Sequence, residues 1–139
     1  MMGEGRAEGV AVVTGGAGGM GSACARKLVK EGWDELLLCD IHEGRLEEVA
    51  GELRAKGAKV EILAGDVADP RWTGALISGL GGRRISALIH TAGLAPMQAD
   101  PARILAVNLD ATVRLVEAVR GHMAPGSAAV LYASNSTYF

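Results

Sequence analysis

The sequence predicts an α/β domain built as a doubly wound parallel sheet with strand order 3-2-1-4-5. Three observations lead to that class. Short apolar runs begin near Val10, Leu36, Val60, Ala87 and Ala128, and the first four starts are spaced by 26, 24 and 27 residues, the length of a strand plus a returning helix. Most of these runs are apolar throughout, as in Leu36-Leu37-Leu38-Cys39, Ala87-Leu88-Ile89 and Ala128-Ala129-Val130-Leu131, which marks strands covered on both faces. The segments between them carry helical period. Right-handed crossovers then fix the winding and put a ligand crevice where strands 1 and 4 diverge.

The first strand, Val10-Ala11-Val12-Val13-Thr14, runs directly into Gly15-Gly16-Ala17-Gly18-Gly19-Met20-Gly21, which opens a helix. Glycines permit the tight turn and let a pyrophosphate approach the main chain. The free amides and positive dipole end of the helix then stabilise the anion. The second strand ends on Asp40, 25 residues after Gly15. A carboxylate there accepts both ribose hydroxyls of an adenosine and repels a 2′-phosphate; a solvated loop aspartate is the plainer alternative. No arginine stands within the glycine turn or directly after Asp40, and Arg45 comes a helical turn later.

In the second helix Leu46, Val49, Ala50 and Leu53 form one stripe, and Gly57 ends it. The third strand, Lys59-Val60-Glu61-Ile62-Leu63, alternates as a strand near the sheet edge does. Gly65-Asp66-Val67 follows, where Asp66 either bonds an adenine amino group or starts a helix. Helical period is weaker from Trp72 to Leu80, and Gly79, Gly81 and Gly82 predict an early stop.

The fourth strand ends in His90-Thr91-Ala92-Gly93, whose small residues keep the crevice open. His90 continues a buried strand and has no carboxylate partner assignable from sequence, so it reads as structural rather than catalytic. The longest helix is predicted from about Pro101 to about His122, capped by Asp100. It carries two apolar stripes, Ile104/Val107/Ala111/Leu115 and Leu105/Leu109/Val113/Val116. That width fits either a subunit contact or a helix deeply buried in its own domain. Asn108 lies between Val107 and Leu109, where an amide must be paired, for a structural or a catalytic purpose. Ser134 follows the fifth strand at the edge where such sheets bind ligands, and Ser136 competes with it.

Composition bounds the rest. The 139 residues suit a single domain, with 49% apolar and 22% charged residues and a net charge of −2. Basic residues are scattered, so neither a nucleic-acid footprint nor a polybasic membrane patch is present. Cys24 and Cys39 have no metal-ligand spacing and read as buried free thiols. No apolar run reaches membrane-spanning length, and Met1 to Gly9 has no signal-type core, so the cytoplasm is the expected compartment.

Taken together, these residues resemble the short-chain dehydrogenase/reductase family, with a Rossmann-type fold. The matches are Thr14-Gly15 with Gly19-Met20-Gly21, Asp40 after strand 2, Asp66-Val67, Ala92-Gly93, Val107-Asn108-Leu109 and Ser134, in family order over nearly the whole chain. The resemblance implies hydride transfer between a nicotinamide cofactor and a small alcohol or ketone. It implies that Gly15, Gly18, Gly19, Met20 and Gly21 hold the pyrophosphate. Asp40, with Ile41 beside it, selects NAD over NADP; Asp66 and Val67 touch adenine; Ala92 and Gly93 line the cofactor. Asn108 organises a water-linked proton relay and Ser134 polarises the substrate oxygen.

Two departures stand out. The family usually has Asn-Asn where this chain has His90-Thr91, so a backbone-stabilising amide is missing. The glycines also fit the spacing of the longer, nucleotide-sugar-modifying branch through Gly15, Gly18 and Gly21, although the run from Arg120 to Gly126 is more like the shorter, alcohol-oxidising branch. The family's proton donor is a tyrosine followed four residues later by a lysine. Here Tyr132 is followed at that position by Ser136, and Tyr138 stands one residue from Phe139. The expectation is therefore a cofactor-binding portion, lacking the C-terminal strands and inactive alone. A catalytically silent dinucleotide-binding sensor or scaffold is the alternative.

Overall fold

The computed structural model describes residues 6–133. Five parallel strands form one sheet in the order β3-β2-β1-β4-β5. They are β1 Val10–Thr14, β2 Glu35–Asp40, β3 Lys59–Ala64, β4 Ile85–His90 and β5 Met123–Leu131. The helices are α1 Gly19–Lys30, α2 Glu43–Arg54, α3 Trp72–Leu80, α4 Pro101–Leu105 and α5 Ala111–Val119. The predicted order holds, with the alternating β3 at one edge. The fold is Rossmann-like.

Successive strand residues feed opposite faces, so the two cores separate by parity. Ala11, Val13, Leu36 and Leu38 pack with Leu46, Val49, Ala50 and Leu53 of α2 and Ala25 of α1. Val10, Val12, Leu37 and Leu88 pack instead with Trp72, Leu76 and Leu80 of α3 and Leu115 and Val119 of α5. Each fully buried leucine contributes about 1.5–3 kcal/mol from removal of apolar surface from water.

The register brings the strand ends level. Thr14 pairs with Cys39 on one side and His90 on the other, and Asp40 pairs with Ala64. The segments after β1, β2, β3 and β4 therefore emerge side by side at one edge of the sheet, which is what assembles a crevice there.

The long helix differs from its predicted form. Asp100 caps it, its carboxylate accepting from Arg103 N at 2.9 Å with Pro101 in the first turn. The helix is interrupted by a π turn at Ala106–Asp110, and Arg120–His122 closes it as a 3-10 turn. The stripe through Val107, Ala111 and Leu115 faces the core, whereas Leu105, Leu109, Val113 and Val116 are exposed. Burial within the domain therefore accounts for only one stripe. β5 also begins earlier than its apolar run predicts, at Met123, because Met123 pairs with Ile85.

Candidate functional site

The turn from Gly15 to Gly21 is shaped by two glycines that the protein itself requires. Gly15 has φ +66°, and a Cβ on it would sit 2.5 Å from Thr91 Oγ1. A Cβ on Gly21 would drive into the Gly15 carbonyl. Gly19 is different: among the described residues, no atom beyond its chain neighbours and its own helix backbone lies within 4 Å of its Cβ position. The N-cap of α1 is Gly18, which has no capping side chain, and no acidic residue occupies the first turn. The first amides of α1 therefore have no capping side chain among the described residues and keep their hydrogen-bonding capacity.

Around this helix start lies a cavity of about 360 Å³, at the edge where the strands end. Gly15, Gly18, Gly19, Met20, Gly21, Asp40, Ile41, Asp66, Val67, Ala92 and Gly93 all line it. A hollow of about 500 Å³ opens at the opposite edge of the sheet, beside Arg6, Trp33 and Ser86. No helix N-terminus lines that hollow, so size does not single it out as the anion site.

Asp40 is tied into the turn. Its Oδ2 accepts from Ala17 N at 3.0 Å and its Oδ1 from His42 N at 3.0 Å. Each carboxylate oxygen retains a further lone pair. Arg45 is nearer than its sequence position indicates, because α2 starts at Glu43 and folds back over the turn. Its Nη2 donates to Ala17 O at 3.2 Å.

Asp66 does not start a helix, since α3 begins at Trp72. Its Oδ1 accepts from Ala68 N at 2.9 Å, shaping a turn, while Oδ2 is 2.9 Å from Arg103 Nη2. That ion pair bridges the loop after β3 and the start of the long helix beside the cavity. Arg103, Gln98, His42 and Leu94 line the cavity too, and nothing in the local sequence pattern marks them.

The end of β4 carries a polar cluster. Thr14 and His90 are both buried, with Thr14 Oγ1 2.6 Å from His90 Nδ1. Thr91 Oγ1 donates to Thr14 O at 2.7 Å, and the amides of Thr91 and Ala92 donate to Thr14 Oγ1 at 3.1 and 3.2 Å. The amide expected before Ala92-Gly93 is indeed absent, but an imidazole and a hydroxyl do the joining of β1 to β4. Burial holds the His90 pKa below its ordinary value, because charging the ring there means losing its hydration.

Asn108 lies in the π turn. It is exposed rather than buried, contrary to the apolar setting its neighbours indicate. Its amide is nonetheless paired: Oδ1 accepts from Leu94 N and Nδ2 donates to Leu94 O, both at 2.8 Å. Ser134 and Ser136 lie outside the described residues.

Cys39 is buried and its thiol is pushed up by desolvation, so it is inert packing; Cys24 is half-buried, and both are free. Among the described residues no cluster of three or more His, Cys, Asp or Glu side chains is placed to hold a metal ion. No helix there is long and apolar enough to cross a membrane.

A parallel sheet in this order, with a glycine turn and an uncapped helix start where its strands end, defines a Rossmann-like domain. The pattern of the short chain dehydrogenases matches residues 9–137, and the chain belongs to that family. It is similar to pikromycin polyketide synthase component PikAIII of Streptomyces venezuelae, 34% identical over 139 residues, covering 92% of this chain and 9% of that protein. Among solved structures it resembles a short chain dehydrogenase from Mycobacterium smegmatis, at 33% identity and TM-score 0.72, covering 88% of this chain and 55% of that one. L-sorbose reductase from Gluconobacter frateurii, solved with NADPH and L-sorbose, matches at 30% identity and TM-score 0.71, over 85% of this chain and 48% of that one. A short chain dehydrogenase/reductase from Burkholderia phymatum, solved with NAD, matches at 28% identity and TM-score 0.71, over 85% and 45%. The chain thus spans about half the length of these solved relatives.

Proposed function

We propose that this chain is the dinucleotide-binding part of an NAD-dependent oxidoreductase acting on a small alcohol or ketone. The observation that carries the reading is Gly19: it opens α1 and lines the cavity together with every described residue assigned to the cofactor, and no described atom beyond its chain neighbours and own helix lies near its Cβ position. Open space at Gly44, Gly51 and Gly74 has no such setting; at Gly19 it coincides with an uncapped helix start, which lets an anionic ligand come as close as a Cβ would.

In this reading the first amides of α1 hold the diphosphate, and Gly15 and Gly21 keep the turn tight beneath it. Asp40 accepts the ribose hydroxyls through its remaining lone pairs and disfavours a 2′-phosphate by charge. Asp66 and Val67 border the adenine, and Ala92 and Gly93 lie under the cofactor. Asn108 and Ser134 serve the reacting end, the first ordering a proton path and the second polarising the substrate oxygen. When bound, the nicotinamide supplies hydride exchange with the substrate carbon. These 139 residues contain no tyrosine with a lysine four positions on, so we expect no turnover from them alone. Single-domain, cytoplasmic placement with no nucleic-acid or membrane partner fits the scattered charge, and the exposed stripe Leu105/Leu109/Val113/Val116 is a surface for self-association.

One observation favours a second reading of the cofactor. Arg45 donates to Ala17 beside Asp40, so a cation stands where a 2′-phosphate would need one. Titration of wild type and Asp40→Ala with NADH and with NADPH separates the two. Preference for NADH that Asp40→Ala abolishes supports NAD; preference for NADPH that Arg45→Ala abolishes replaces it. Gly19→Ala tests the site itself: stability should hold while affinity for either dinucleotide falls by about tenfold or more. Unchanged affinity removes the diphosphate from this turn.

A further inference from the structure

The polar cluster at the end of β4 has a hydrogen-bond direction that its geometry dictates. A threonine oxygen has two lone pairs and one hydrogen. Both lone pairs of Thr14 Oγ1 are taken by the amides of Thr91 and Ala92, so its hydrogen must point to His90 Nδ1, 2.6 Å away. Nδ1 is then an acceptor, and the ring hydrogen lies on Nε2. From there it goes to Thr112 Oγ1 at 2.9 Å, and the Thr112 hydroxyl donates in turn to Asn108 O at 3.0 Å. Asn108 holds both the N–H and the C=O of Leu94 with its side chain.

The bonds form a closed circuit. Thr14 grips the start of the segment from Thr91 to Leu94, and Asn108 grips its end. The imidazole links the two grips, reaching from Thr14 on β1 to Thr112 on α5, whose hydroxyl carries the connection to Asn108 in the π turn. We propose that His90 is a positioning residue, locked as the Nε2–H tautomer, which ties the Thr14 and Asn108 clamps together and so fixes the Thr91–Leu94 segment along the crevice. The purpose of that fixing rests on the dinucleotide reading above. The circuit does not, and it is measured without cofactor, so either can fail alone.

An asparagine at position 90 reaches as far as Nδ1 but not as far as Nε2, so His90→Asn keeps the Thr14 bond and drops the Thr112 bond. Thr112→Val drops the same bond from the other side at nearly constant volume. In ¹⁵N NMR of the uniformly labelled 139-residue chain, His90 should show an unprotonated Nδ1 and a protonated Nε2. In hydrogen exchange, the Leu94 amide should open about tenfold faster in both variants, while Val12 and Leu37 in the central strands keep wild-type rates. An Nδ1–H tautomer overturns the proposal. So does a Leu94 rate that stays unchanged in either variant, or that rises only in step with Val12 and Leu37.

Discussion

β2 and β5 look alike as sequence and behave differently as structure. Leu36-Leu37-Leu38-Cys39 is buried throughout, under helices on both faces. Ala128-Ala129-Val130-Leu131 is just as apolar, yet of all nine residues of β5 only Ala124 is buried, and Val130 and Leu131 are 43% and 46% exposed. An uninterrupted apolar run records the burial a strand is suited to, not the burial it receives. Cover comes from other elements, and among the described residues α1 and α2 on one face and α3 and α5 on the other lie over β1, β2 and β4. β5 therefore presents an apolar face and an open edge, the type of surface that pairs or aggregates unless something lies against it.

The sharpest test of that contrast truncates one leucine from a covered strand and one from β5. Leu88→Ala, in the central β4, should cost about 4 kcal/mol in denaturant unfolding, whereas Leu131→Ala should cost about 1 kcal/mol or less. Equal costs would mean that β5 is covered in solution. A second pair contrasts two glycines. Gly21→Ala forces a methyl into the Gly15 carbonyl and should destabilise by about 3 kcal/mol, abolishing the turn. Gly126→Ala, on β5 with φ +77° but open space around it, should cost about 1 kcal/mol from backbone strain alone.

Burial of the His90 ring makes stability depend on pH. The folded pKa of His90 lies below its ordinary 6.5, so the unfolded chain takes up the proton first as pH falls. Stability associated with His90 is then complete above about pH 6.5 and declines below it. The urea midpoint of the wild type should fall more steeply between about pH 7 and pH 5 than that of His90→Asn. Parallel slopes would show that the buried ring does not set this dependence.

The smallest effect compares two neighbouring arginines. Arg83 Nη1 lies 2.6 Å from both Glu35, which starts β2, and Glu61, within β3, and the guanidinium also reaches the Leu80 and Gly79 carbonyls. Arg83→Ala should cost about 1 kcal/mol, less at high salt, since the group is partly exposed. Arg84, which bonds the Gly121 carbonyl on the β5 side, should cost about half that.

Much of the site was legible because its signals are local. Gly15 to Gly21 combine backbone conformation with helix start, Asp40 closes a strand, and Asp100-Pro101 caps a helix; each depends on neighbours a few residues away. Arg103 was not legible, because its partner Asp66 lies on a different loop and neither residue's surroundings in the chain indicate the other. The Arg45 contact with Ala17 was not legible for a related reason: distance along the chain says nothing about how α2 folds back over the glycine turn. The π turn at Ala106–Asp110 leaves the apolar periodicity of the helix nearly intact, so Asn108 looked enclosed when it is exposed and paired with Leu94.

By itself the sequence determined the strand order, the covering of the central strands on both faces and the edge at which the crevice opens. Those follow from periodicity, strand spacing and the fixed hand of the crossovers, all written along the chain. Only the tertiary structure decided which polar groups meet there. Thr14 and His90 are 76 residues apart and Ala17 and Asp40 are 23 apart, and hydrogen bonds act over about 3 Å, so such pairs exist only once the sheet has set their register.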